Sequence, residues 1–186
     1  MGREANGRKN FLFFLLILLI FVELILVIAG LRELAFYNSM MVIVFLVFYL
    51  LSGKIKFSNW VLGGFILVAV LNAAGGLVII DGVRLYDSWI GNLRWDMFIH
   101  FLAMFCAYFV IYDFLKANFK GKEANIIAVA FVVALGLGAL YEIIELFGVS
   151  VLGNQEVGDY MNNALDLVFD FLGAILGGLV ISFREF

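Results

Sequence analysis

DYMNNALDLVFDFLGAILGG, residues 159–178, is the stretch on which the reading of this chain turns. It is apolar enough to lie in hydrocarbon, yet Asp159, Asn162 or Asn163, Asp166 and Asp170 recur along it every three to four residues. On a helix that spacing forms one polar stripe about three turns long. Ionisable groups inside a membrane are costly, so such a stripe faces other protein groups and by default marks a site.

Outward from this stretch the chain is just as apolar. With 65% hydrophobic and 15% charged residues and a mean hydropathy of +1.10, its 186 residues do not describe a soluble domain. At roughly 20 residues per crossing, the pattern predicts an all-α, polytopic transmembrane bundle of six helices, near 11–31, 34–51, 60–80, 95–116, 124–147 and 158–183. The expectation is a single integral membrane domain over 1–186 in the cell membrane, with a polar leader at 1–10 and a polar stretch, Asp81 to Arg94, dividing two halves. No internal repeat is evident. The first apolar run is longer than a usual signal-peptide core, so it reads as a span. Proline is absent, which leaves glycine to supply any irregularity. The lone Cys106 allows no disulfide framework, and a net charge of −3 offers no basic surface to nucleic acid.

Lys and Arg residues set the expected orientation. Arg3, Arg8, Lys9, Lys54, Lys56, Lys116, Lys120, Lys122 and Arg184 fall on one side of six spans, and Arg32, Arg84 and Arg94 on the other. Both termini and the leader are therefore expected to be cytoplasmic. The segments 81–94 and 148–157 then lie outside.

Two further polar sets border those outer segments. Asp96 and His100 are four residues apart on the fourth helix, and Glu142 and Glu145 three apart on the fifth, so each pair shares a face. All three sets, in the half spanning 95–183, are expected to meet in one site open to the extracytoplasmic face. At about 1.5 Å per residue, Asp166 and Asp170 should lie roughly 12 to 20 Å below the start of the sixth helix. Gly136 and Gly138 on the fifth helix, and Gly173 and Gly177 on the sixth, would permit close backbone approach. Glu23 and Asn72 read as polar contacts between helices.

Six carboxylates, Asp96, Glu142, Glu145, Asp159, Asp166 and Asp170, are set against few nearby cations, Arg94 and Arg84. Either several stay protonated or divalent ions neutralise them. Oxygen donors with one imidazole favour Mg²⁺ or Mn²⁺ over Zn²⁺.

The order WDxxxH at 95–100, GALYExxE at 138–145 and DxxxNxxDLxxDxxGAxxG at 159–177 resembles the YjdF-like small membrane proteins. More distantly it is similar to the VanZ-like proteins, which share an acid on one helix and an Asp-rich, Gly-Ala-containing last helix. Asp170 departs from the pattern, in which Asn is common. The resemblance implies a polytopic helical fold and, for the VanZ-like relatives, a link to glycopeptide tolerance at the cell envelope. It brings no established reaction.

From the chemistry alone, three functions fit. The first is a metal-dependent hydrolase or transferase acting on a membrane lipid or lipid-linked phosphate. In it Glu142, Glu145, Asp166 and Asp170 are metal ligands, His100 and Asp96 the ligand or acid/base pair, and Arg94, Asp159 and Asn163 substrate-binding groups. The second is a proton or divalent-cation transporter, although the far halves of helices four to six are nearly bare of polar groups apart from Asp113. The third is a non-catalytic scaffold held together by its polar residues. Substrate and oligomeric state leave no trace in the sequence.

Overall fold

The computed structural model describes residues 2–53, 55, 57–152 and 160–185. Among these, six helices are long and apolar enough to cross a membrane, as the all-α reading expects. They are α1 (Gly2–Ile28), α2 (Arg32–Leu51), α3 (Asn59–Leu77), α4 (Trp95–Asn118), α5 (Glu123–Leu152) and α6 (Tyr160–Glu185). The chain divides into two compact units, 1–57 and 58–186.

In the first unit α1 and α2 form an antiparallel pair. The helix α1 starts at Gly2 and runs through the polar leader. Residues such as Glu4, Ala5, Arg8 and Lys9 are good helix formers and extend a helix already nucleated on the apolar run. It stops at Ile28, short of the expected Leu31, because Gly30 adopts a left-handed φ of 75°. The Leu31 N–H then bonds the Leu26 carbonyl and the Gly30 N–H the Val27 carbonyl, a Schellman closure of the helix end. Glu23 joins the pair: it accepts hydrogen bonds from Asn38 Nδ2 at 2.8 Å and Ser39 Oγ at 3.0 Å. The same Asn38 amide also donates to the Leu19 carbonyl.

The second unit is built around α4, which packs against α3, α5 and α6. Small residues set these approaches. A methyl group on Gly173 of α6 would lie 2.3 Å from the Phe101 carbonyl oxygen of α4, and one on Gly177 would lie 2.8 Å from the Tyr108 ring. On α3, Gly64 leaves room for the Cys106 sulfur. The Tyr108 hydroxyl donates to the Ile127 carbonyl of α5 at 2.9 Å. Gly136, expected to support close packing, instead faces open space, and a methyl there would meet nothing within 4 Å. It lies on a different face of α5 from Gly138, two residues on.

Between α3 and α4 the polar stretch is folded. Ile79–Ile80 pairs antiparallel with Val83–Arg84 (β1, β2), and Trp89–Ile90 with Leu93–Arg94 (β3, β4). A short 3₁₀ turn, Leu85–Asp87, separates the two hairpins. Their tight turns are Asp81-Gly82, with φ of 52° and 82°, and Gly91-Asn92, with φ of 67° at Gly91. Those residue pairs suit two-residue hairpins because they accept positive φ. Each hairpin is closed by a further backbone bond, Leu85 N–H to Val78 O and Trp95 N–H to Ser88 O. The connection thus repeats one hairpin shape, and the two copies share little sequence identity. Tyr86 anchors the repeat on α3, bonding Asn72 and filling the space left by Gly75. Asn72 is thus hydrogen-bonded to this connection.

Gly173→Val is expected to destabilise the α4–α6 contact by about 1–3 kcal/mol, read as a lower Tm in detergent. Gly136→Ala, with open space for its methyl, should leave Tm unchanged or slightly raised.

Candidate functional site

The groups that the sequence brings onto single helix faces converge where α4 begins, α5 ends and α6 begins. Asp96, His100, Glu142, Glu145, Asn162, Asp166 and Asp170 are all buried. Counting along the helices from Trp95, Leu152 and Tyr160, His100, Glu142 and Asp170 lie roughly 8 to 15 Å from those points at about 1.5 Å per residue. Asp159 lies outside the described residues.

His100 is the meeting point. Its Nδ1 lies 3.2 Å from Asp170 Oδ1 and 3.5 Å from Glu142 Oε1. One donor atom from each of His100, Glu142 and Asp170 falls within 4.8 Å of the others. The imidazole edge rests on the Tyr141 ring at 5.4 Å, and Tyr141 hydrogen-bonds Glu145 on the next turn. Gly138 makes room for this arrangement: a methyl there would sit 2.5 Å from Asp170 Oδ2.

A second knot forms around Arg94. Its guanidinium contacts Asp87 Oδ1 at 2.6 Å and Asp96 Oδ2 at 3.2 Å, and it donates to the Asn162 amide oxygen. Asn162 passes the contact on, with Nδ2 donating to Asp166 Oδ2 at 2.7 Å. Asp96 also accepts the Met97 N–H at 2.8 Å, within the first turn of α4. Asp96 is thus engaged by Arg94 and by its own helix start, and the carboxylates against His100 come from α5 and α6. Arg94, expected at an open mouth, is held between three partners. Asp87 and Tyr141 are additions to the residues expected from sequence. Asp87, in the short 3₁₀ turn between the hairpins, belongs to none of the spanning-helix stripes by which spacing flags a residue.

Several buried oxygens in this cluster accept no hydrogen bond among the described residues: both of Glu142, Oδ2 of Asp170, Oδ1 of Asp166 and Oδ1 of Asn163. Buried acceptors are nearly always satisfied, and each one left bare costs about 1–3 kcal/mol. Three lie on carboxylates within reach of the imidazole. Two metal–ligand bonds of about 2.0–2.2 Å at 90–109° put their donor atoms about 2.8–3.6 Å apart; the separations of His100 Nδ1 from Asp170 Oδ1 and Glu142 Oε1 fall in that range, and the three donors together lie within 4.8 Å. His100, Glu142 and Asp170 could therefore hold a metal ion. Of the ligands expected from sequence, Glu142 and Asp170 belong to this group and His100 joins them. Glu145 and Asp166 lie on the same stripes without entering it.

The sequence profile of a family described as "predicted membrane protein (DUF2238)" matches residues 11–185. The chain belongs to that family, which is the YjdF-like family. It is a multi-pass integral membrane protein. No curated protein and no solved structure matches it.

Arg94→Met would strand the buried Asp96 carboxylate. Removing one partner of a buried ion pair costs about 3–5 kcal/mol, so Tm should fall sharply. Asp96→Asn added to the same chain should recover part of the loss, and a double-mutant cycle on Tm measures the coupling. Gly138→Ala should displace the Asp170 carboxylate and weaken any metal binding at the triad with little change in Tm.

Proposed function

We propose that His100, Glu142 and Asp170 bind one divalent cation, Mg²⁺ or Mn²⁺ ahead of Zn²⁺, and that the protein is a hydrolase or transferase acting on a lipid or lipid-linked phosphate. The observation that carries this reading is the set of bare carboxylate oxygens gathered around one imidazole. Two carboxylates and one nitrogen form a hard, anionic donor set that leaves further coordination positions for water and a phosphate oxygen. When bound, such an ion polarises the phosphate and activates a nucleophile.

The protein's own groups then divide the remaining work. His100 serves as ligand, its Nδ1 side already turned toward both acids. Asp166, 1% exposed, is held through Oδ2 by Asn162 and keeps Oδ1 free of hydrogen bonds, which suits it to take a proton from a water or hydroxyl. Arg94 is a positioning residue: it fixes Asn162, and through it Asp166. Asn163, with a bare buried amide oxygen, is left to meet an incoming head group; Asp159, given the same role on sequence grounds, lies outside the described residues.

Away from the cluster, the opposite halves of α4, α5 and α6 are filled by Tyr108, Ala130, Ala134 and Ile181. A site entered from one side suits an enzyme better than a path for ions. On the Lys and Arg distribution we read that side as the extracytoplasmic one, with both termini in the cytoplasm. A distant VanZ-like kinship, and with it a role at the cell envelope, is part of this reading and rests on the acids of α5 and the Gly-Ala stretch of α6.

Purified protein should carry or take up about one Mn²⁺ per chain, measured by elemental analysis and electron paramagnetic resonance. Glu142→Gln/Asp170→Asn should abolish it. Binding should tighten as pH rises, because every ligand must bind the ion without its proton. Phosphate release from a polyprenyl diphosphate in mixed micelles should require the metal and vanish in His100→Asn. No metal in the wild-type protein under any loading condition would remove the enzyme reading and leave a scaffold.

A further inference from the structure

We infer that the paired hairpins between α3 and α4 lie in the lipid headgroup region as an interfacial anchor, with the bilayer itself as the partner of their apolar side chains. Ile79 is 67% exposed and Trp89 and Ile90 are each 59% exposed, with Ile80 and Val83 also open. Two-residue strands cannot bury such groups themselves, and isolated hairpins of this size are marginal in water. Something outside the unit must cover them.

Depth and chemistry both point to lipid. The candidate spans end at Leu77 and resume at Trp95, so β1 begins two residues past one span and β4 ends where the next begins. At about 3.3–3.6 Å per residue, β1 and β4 lie within about 11 Å of the span ends, and pairing holds β2 and β3 alongside them. Their backbone is suited to that depth. The ladders pair Ile79 with Arg84, Ile80 with Val83, Trp89 with Arg94 and Ile90 with Leu93, and the Leu85 and Trp95 N–H groups close each loop. A backbone that satisfies its own polar groups enters a poorly hydrated layer at much lower cost. Polarity follows a similar division: Asp81-Gly82 and Gly91-Asn92 form the turns, while the strands carry Ile, Val, Trp and Leu, with one arginine, Arg84 or Arg94, ending each hairpin. Indole in particular favours the membrane–water interface.

The anchor is tied to the buried cluster. Arg94 ends the second hairpin and Asp87 lies between the two, and both hold the knot that reaches Asn162 and Asp166. Seating the hairpins in headgroups would therefore fix the height of this knot against the bilayer. The inference does not depend on the metal reading.

Reconstitution of the full-length protein in phosphatidylcholine vesicles tests it. Single cysteines at Ile80, Ile90, Gly82 and Asn92 would be spin-labelled, with the buried Cys106 in the unsubstituted chain as the unlabelled control. Labels at Ile80 and Ile90 should be accessible to oxygen and shielded from an aqueous nickel chelate, and labels at Gly82 and Asn92 should show the reverse. Brominated acyl chains should quench wild-type tryptophan fluorescence more than that of Trp89→Phe. Equal access of the chelate to all four labels would overturn the inference in favour of a water-exposed loop. Labels at Ile80 and Ile90 shielded from both reagents would overturn it in favour of a protein partner, a second copy of the chain being indicated if the shielding is lost on dilution with lipid.

Discussion

Everything in the buried cluster depends on how closely α4 and α6 can approach. Gly173 lets the α6 backbone lie against the Phe101 carbonyl, and Phe101 follows His100 while Asp170 lies one turn before Gly173. The glycine contact and the His100–Asp170 contact are therefore two levels of one crossing. Hydrocarbon provides no hydrophobic drive between helices, so packing of this kind and polar contacts must hold them. A side chain at residue 173 would separate the imidazole from the carboxylate before it affected any other part of the unit.

Burial then sets the electrostatics. Carboxylates from α5 and α6 surround one imidazole, while the guanidinium of Arg94 is engaged by Asp87, Asp96 and Asn162. Positive charge is thus unevenly shared: satisfied around Asp96 and scarce around Glu142. That imbalance is what the metal reading of the triad draws on.

Helix faces are legible in the sequence, whereas the partners of each face are not. Three-to-four spacing correctly puts Asp166 with Asp170 and Glu142 with Glu145 on single stripes, because helical periodicity is a property of one segment. It pairs Asp96 with His100 for the same reason, yet Asp96 turns to Arg94 and the first turn of α4, a choice of rotamer that spacing does not encode. Gly136 and Gly138 look equivalent on paper, and only the rotation of α5 against α6 separates a glycine that shelters Asp170 from one facing open space. The hairpins are hard to see because Asp81-Gly82 and Gly91-Asn92 sit within a polar connection, although both are turn-forming pairs flanked by β-branched, aromatic or aliphatic residues. Asp159, part of the stripe that first marks the site, lies outside the described residues.

The long separation between contacting residues bears on how the protein is made. Arg94 meets Asn162 across 68 positions and His100 meets Asp170 across 70, so a ribosome delivering this chain inserts α4 well before its charges can be matched. Until α6 follows, the His100 imidazole sits in its span without Asp170, and Arg94 at the span's edge has Asp87 and Asp96 without Asn162. The closing helix therefore acts as a completion step in biogenesis, and a chain truncated before residue 160 would present membrane quality control with the unmatched groups it is built to recognise.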